Sequence, residues 1–256
     1  MRVGVVGVGA VGAALGKLFS DVREYDEPKK IGTREEINSC DIAFVSVPTP
    51  SLPDGSCDTS IVEEVVAWLQ TPVIVLRSTV TVGTTRRLAE KYKKKIVFQP
   101  EYGPAETPDH PFNDLRKVRW IILGGEPAAT KIAARVWKKV YNSDIVIQQT
   151  TSEAAELCKY MENAFLAMKV TFCNEFYEIA EKLGVEYDEL RELWLLDPRI
   201  GKSHTWVFPG DRGFGGKCLP KDLVAIITTA EKAGAAPTLL QSVAATNKKH
   251  RARSVR

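Results

Sequence analysis

The first half of the chain alternates short apolar runs with longer amphipathic stretches. Runs rich in Val and Ile fall at Arg2–Val6, Ile42–Val47, Val73–Leu76, Ile96–Phe98, Trp120–Leu123 and Ile145–Ile147, each bounded by Gly, Pro or polar residues. Short continuous runs of this kind predict strands buried on both faces of a parallel sheet. A further strand is expected at Val22–Tyr25, and helices at Ser60–Leu69, Thr84–Lys94 and Ala128–Tyr141. The alternation predicts a Rossmann-like, doubly wound α/β domain over residues 1–149.

The pattern then changes period. Thr150 and Glu153 have the spacing of a capping box. Leu157, Met161, Ala164, Phe165, Met168, Phe172, Phe176 and Ile179 recur at helical spacing up to Gly184, a natural helix stop. A helix this long predicts a span across two units or a subunit contact, because one small core cannot cover so much apolar face. Shorter helices are expected at Asp188–Leu195, at Pro220–Ala233 and from about Pro237. Residues 150–256 are therefore expected to form an all-helical dimerisation domain with one long central helix.

Composition narrows the class. Of 256 residues, 44% are hydrophobic and 26% charged, the balance of a soluble globular protein and not of a disordered one. No apolar run reaches membrane-spanning length, and Met1-Arg2-Val3 enters a patterned segment at once, so no signal peptide and no membrane are expected. The net charge is +3, yet Lys232, Lys248, Lys249, Arg251, Arg253 and Arg256 all follow the last acidic residue, Glu231. The body is thus mildly acidic and the tail basic. With no aromatic residues among those charges, the tail reads as a solvated helix end and not as a nucleic-acid patch. Cys40, Cys57, Cys158, Cys173 and Cys218 are odd in number, scattered, and lack a C-x-x-C pair. They point to a reducing, cytoplasmic setting without a disulfide framework or structural zinc, and His110, His204 and His250 show no metal-ligand spacing.

Two stretches carry chemistry. Gly7-Val8-Gly9-Ala10-Val11-Gly12 is a G-x-G-x-x-G turn directly after a strand and at the start of a helix. The first glycine allows the turn, the second lets amides approach a pyrophosphate, and the third lets the helix pack on the strand. Asp26 ends the next strand, where a carboxylate accepts the ribose hydroxyls of NAD and repels a 2′-phosphate. Lys29 and Lys30 leave a smaller opening for NADP. The second stretch is Gly213-Phe214-Gly215-Gly216-Lys217-Cys218-Leu219-Pro220-Lys221-Asp222. Its glycines permit a tight loop, and Pro220 suits a first helical turn. Cys218 then sits at a helix N-terminus beside Lys217 and Lys221, a setting that favours a thiolate, with Asp222 one turn on. A thiolate beside a carboxylate suits covalent catalysis followed by hydrolysis.

Gly213–Asp222 resembles the catalytic loop of the UDP-glucose/GDP-mannose dehydrogenase family, which oxidises a sugar-nucleotide alcohol to a carboxylate with two NAD. Similar segments run the length of the chain: Ser46-Val47-Pro48-Thr49-Pro50, Arg77-Ser78-Thr79-Val80, Gln99-Pro100-Glu101-Tyr102, Glu156-Leu157-Cys158-Lys159 with Asn163 and Asn174-Glu175, and Asp197-Pro198-Arg199-Ile200-Gly201. The resemblance implies Cys218 as nucleophile, Lys159 and Asn163 as stabilisers of the substrate oxygen, Asp222 and Thr79 as holders of water, and Glu101 as an aid to hydrolysis. It places NAD against Gly7, Val8, Gly9, Ala10, Val11, Gly12, Asp26, Val47, Pro48, Thr49 and Thr79. It places the nucleotide sugar against Tyr102, Gly215 and Arg199, the last reaching across a homodimer.

Three departures accompany the resemblance. The chain stops at Arg256, inside what resembles the last connecting helix, before the family's nucleotide-gripping domain. The stretch from Asp26 to Val47 is short, as if a strand and helix were trimmed. Trp206–Arg212 enlarges the approach to the cysteine loop, and Glu106 lies five residues after Glu101 instead of four. The basic tail is a candidate to replace some phosphate contacts. UDP-glucose is the first substrate to try. A two-electron NAD oxidoreductase on a smaller substrate and a truncated, non-catalytic dinucleotide-binding module remain as alternatives.

Overall fold

The computed structural model describes residues 1–102, 114–141 and 145–254; Glu106, His110 and Arg256 lie outside them. The chain divides into two compact units between Lys159 and Tyr160, the second also taking in Pro53–Ser56.

The first unit is built on seven strands: β1 (Val3–Val6), β2 (Val22–Tyr25), β3 (Ile42–Val45), β4 (Ile74–Leu76), β5 (Ile96–Phe98), β6 (Trp120–Gly125) and β7 (Val146–Thr150). They form one sheet in the order β2-β1-β3-β4-β5-β6-β7. The first five are parallel; β6 pairs antiparallel with β5, and β7 runs parallel to β6. The expected parallel sheet is therefore reversed over its last two strands. A strand buried on both faces shows the same apolar run whichever way it points, so the pattern reports burial and not direction. Only β2 lies outside β1, and the short α2 (Arg34–Asn38) leads from it to β3. That is the structural counterpart of the short Asp26–Val47 stretch. A capping box of Thr33 and Glu36 starts α2, a helix the apolar pattern did not announce.

Alternate strand residues point to opposite faces, which makes the domain doubly wound. Val3, Val5, Phe44, Val75 and Val97 pack with Leu15 of α1 (Ala10–Gly16) and with Ala133 and Trp137 of α5 (Pro127–Tyr141). Val6, Val45, Leu76 and Phe98 pack with Val62 and Val66 of α3 (Ser60–Trp68) and Leu88 of α4 (Thr84–Tyr92). Trp137 is fully buried edge-on to Phe44 with ring centroids 5.5 Å apart, and its indole N–H donates to Gln99 Oε1 at 2.9 Å.

The 32-residue α6 (Ser152–Leu183) is about 48 Å long at 1.5 Å per residue. Thr150 is taken up by β7, so the helix is capped one residue later than expected. The Thr151 hydroxyl accepts from the Ala154 N–H at 3.3 Å. Its end is as expected: Gly184 has φ +69°, and the Val185 N–H returns to the Ala180 carbonyl at 2.9 Å. The second unit adds α7 (Tyr187–Trp194), α8 (Cys218–Lys232) and α9 (Thr238–Arg253). Most of the large apolar residues of α6 are on its outside: Leu157, Met161, Phe165, Phe172, Phe176, Ile179 and Leu183 are exposed, Leu166 and Met168 are half-buried, and Tyr160 is fully buried. Small and polar residues, including Asn163, Ala164, Ala167, Asn174 and Ala180, are buried instead. Among the described residues no helix is long and apolar enough to cross a membrane, and no cluster of side chains could hold a metal ion.

Truncating Trp137 to Ala removes the largest fully buried side chain together with the Gln99 partner. The expected loss of unfolding free energy is about 3–5 kcal/mol, read from urea denaturation.

Candidate active site

In the first unit the glycine turn leaves β1 with Gly7 at φ +88°. A Cβ there would lie 2.6 Å from the Ser46 carbonyl oxygen, and one at Gly12 would lie 1.9 Å from the Gly7 oxygen. Both positions admit only glycine. At Gly9 a Cβ would meet nothing within 4 Å, so this exposed turn is open where a ligand's backbone-facing groups could approach. Asp26 holds the turn from β2: one carboxylate oxygen accepts from the Val8 N–H at 2.8 Å, and the other from the Lys29 N–H at 3.1 Å. The Lys29 ammonium returns to the Val8 carbonyl at 2.5 Å. Turn and carboxylate lie at the carboxyl end of β1, where the strand order reverses between β1 and β3, the usual crevice for a dinucleotide. The donor set fits NAD: open amides for phosphate, and a carboxylate with lone pairs left for ribose hydroxyls.

Val47, Pro48 and Thr49 continue from β3 at the same end of the sheet. The Val47 carbonyl accepts from the Ser78 hydroxyl at 2.7 Å, and the buried Cys57 thiol donates to the Thr79 carbonyl at 3.3 Å. These contacts tie the Val47–Thr49 segment to the Ser78–Val80 turn. Arg77, buried at the end of β4, forms an ion pair with Glu101 after β5. Burial pulls the guanidinium below its usual pKa, and Tyr141 opposes that shift in part. Glu101 is thus already held by a buried cation. Tyr102 places its ring face beneath the Lys159 ammonium at 5.0 Å and its hydroxyl on the Cys158 sulfur at 3.4 Å.

Glu156, fully buried in the first turns of α6, was not singled out for a role of its own. Its two carboxylate oxygens accept from the Gly83 and Thr85 N–H groups at 2.6 and 2.9 Å, capping α4. Burial raises its pKa, and those backbone donors pull it back. A lone glutamate on the inward face of an amphipathic helix was the available signal.

In the second unit Cys218 is the first residue of α8 and is exposed. One turn on, Asp222 is 2% exposed; one oxygen accepts from the Asn163 amide at 2.5 Å, and the other from the Lys221 ammonium at 2.6 Å. The glycine loop before Cys218 is clamped from two helices. Asn174 of α6 accepts from the Gly213 N–H at 2.9 Å and from Arg212 Nε at 2.7 Å. Asn247 of α9 accepts from the Phe214 N–H at 2.7 Å and donates to the Phe214 carbonyl at 2.9 Å. Arg212 lies on the Tyr177 ring at 4.3 Å. A Cβ at Gly215 would lie 3.4 Å from the Arg251 guanidinium carbon. Arg251 pairs with Asp211 and Arg253 with Glu178, so these two of the tail's candidate phosphate contacts are engaged inside the protein. Arg199 is highly exposed, and its Nε donates to both Asp197 oxygens at 2.9 Å.

The structure therefore unites the expected residues in two sets. Gly7–Gly12, Asp26, Val47–Thr49, Thr79, Glu101, Tyr102 and Lys159 belong to the first unit; Asn163, Gly215, Cys218, Asp222 and Arg199 belong to the second. A glycine turn with a carboxylate beside it on a Rossmann sheet, followed by a helical unit with an exposed helix-start cysteine, gives the chain the two-part build of a dinucleotide-binding domain joined to a helical domain. Two models of one family match the chain: its NAD binding domain over residues 29–145 and its central domain over residues 153–249. The chain belongs to the UDP-glucose/GDP-mannose dehydrogenase family.

Individual relatives agree. The chain is 31% identical to a UDP-glucose 6-dehydrogenase of Rhizobium meliloti over 82% of its own length and 51% of that protein's. It is 32% identical to a UDP-glucose 6-dehydrogenase of Haloferax volcanii over 83% and 53%. Among solved structures, a UDP-glucose dehydrogenase from Pyrobaculum islandicum superposes with a TM-score of 0.83 at 28% identity, covering 97% of this chain and 68% of that one. The chain spans about half the length of the curated relatives it matches.

Two substitutions test this geometry. Asp26→Ala is expected to weaken NAD binding about tenfold in titration calorimetry, since it removes a carboxylate with lone pairs open to ribose hydroxyls and frees the Val8 amide. Glu156→Gln replaces one acceptor with a donor facing a backbone N–H; the expected cost is about 1–3 kcal/mol in chemical denaturation.

Proposed function

We propose that this chain carries the reaction centre of an NAD-dependent dehydrogenase that converts a nucleotide-sugar primary alcohol to its uronic acid, UDP-glucose being the leading substrate. The observation that carries the reading is the Asn163–Asp222 hydrogen bond at 2.5 Å, one turn from the exposed Cys218. A buried carboxylate fixed beside an exposed helix-start thiol is costly to keep in a mere binding module and useful in covalent catalysis.

The chemistry needs four electrons removed and one water added. NAD, when bound, accepts the two hydrides, one molecule per step. Lys159 holds a positive charge where the alcohol oxygen loses its proton. The Cys218 thiolate adds to the aldehyde carbon to give a thiohemiacetal. Oxidation of that adduct leaves a thioester, and water cleaves it to the carboxylate and the free thiolate. By the family resemblance Asp222 and Thr79 are the holders of that water, and Glu101, ion-paired with Arg77, is the aid to its attack. Two NADH form for each sugar oxidised. Tyr102, Gly215 and Arg199 contact the substrate, Arg199 from the second copy of a homodimer. The exposed apolar residues of α6 supply the surface such a dimer would bury.

The test is stoichiometry. Incubated with limiting UDP-glucose, the protein is expected to form two NADH per substrate; one NADH would sink the thioester route and favour a two-electron enzyme. Cys218→Ser is expected to lower kcat by at least about 10³-fold, the scale of losing a covalent nucleophile, while NAD binding stays within about twofold.

A further inference from the structure

The contacts of Tyr102 go beyond those of a substrate-lining residue. Its ring face lies 5.0 Å below the Lys159 ammonium, within the range of a cation–π interaction. The ring is fixed from two other sides. Its hydroxyl donates to the Cys158 sulfur at 3.4 Å, and Trp120 meets it edge-on with ring centroids 4.7 Å apart. Cys158 and Lys159 are adjacent in α6, so the helix that carries the ammonium also grips the tyrosine's far end. The geometry assigns Tyr102 a positioning role: its ring face holds the Lys159 side chain in place and favours the charged over the neutral amine.

The physical reason is the aromatic quadrupole, whose negative face attracts an ammonium and not a neutral amine. A ring held on three sides keeps that attraction directed at one point. This inference rests on the reading of Lys159 as the charge that stabilises the substrate oxygen, since an amine that loses its proton cannot do so. It makes the aromatic character of position 102, and not its hydroxyl, the functional property.

The test needs neither substrate nor cofactor. Trace acetylation with acetic anhydride at pH 8.5, read by peptide mass spectrometry, reports the neutral fraction of Lys159 relative to the exposed Lys138. Tyr102→Leu is expected to raise Lys159 labelling about fivefold, and Tyr102→Phe to leave it within about twofold. Tyr102→Met, longer and more flexible and also without a ring, serves if the Leu variant does not fold. Equal labelling in wild type and both ring-less variants overturns the proposal, as does a Phe variant that labels like Leu. Where the wild type turns over UDP-glucose, Tyr102→Leu should also move the alkaline limb of kcat to lower pH, and Tyr102→Phe should restore it. A wild type that makes no NADH defeats the dehydrogenase reading, whereas unchanged labelling defeats only the role of Tyr102.

Discussion

A carboxylate taken out of water must be met by donors, and at Asp222 that requirement organises the helical unit. Its two oxygens are each occupied, one by Asn163 from the long helix and one by Lys221 from its own. The pairing sets the rotation of α8 against α6, because only one face of each helix can bring those groups within 2.5 Å. Cys218 lies one turn earlier on the same face of α8, and as the first residue of that helix it is exposed where Asp222 is buried. An unpaired buried carboxylate costs several kcal/mol, so a helix turned the wrong way would pay a penalty comparable to much of a domain's net stability.

The same economy governs the loop ahead of Cys218. Glycines supply the unusual backbone, with Gly213 and Gly216 at φ +73° and +74°, but glycines alone leave a loop loose. Asn174 and Asn247 remove that freedom by bonding its amides from two helices, and Asn247 does so with both its donor and its acceptor. Arg212 fills the remaining space, its charge shared between Asn174, Glu178 and the Tyr177 face. The basic end of α9 belongs to this brace: Arg251 and Arg253 hold Asp211 and Glu178. What reads in sequence as a solvated tail is in part the scaffold of the cysteine loop.

Legibility from sequence followed the strength of the local physics. The strands, the long helix and its glycine stop were readable because apolar period and left-handed glycine act over a few residues. The glycine turn was readable with its carboxylate because their spacing is set by one strand–helix–strand unit. Short α2 was missed, since five residues show no period and only the Thr33–Glu36 cap marks it. The stripe from Leu157 to Ile179 reads as too long for one small core, and six of its eight residues are exposed, Ala164 and Met168 being the exceptions. The polar face opposite it, which makes the contacts with the cysteine loop, left no periodic trace.

The amino-acid order by itself determined the strands and every α-helix but the short α2, where the turns need glycine, and that Cys218 sits at a helix start. Those are consequences of backbone sterics and of the spacing of apolar side chains along a few turns. Only the tertiary structure decided that β6 and β7 run against the others, that Glu156 caps α4, that Arg77 is the partner of Glu101, and that Asn163 turns to Asp222. Each of these joins residues far apart in the chain, and the energy that selects them is the desolvation of polar groups that must find a partner once buried.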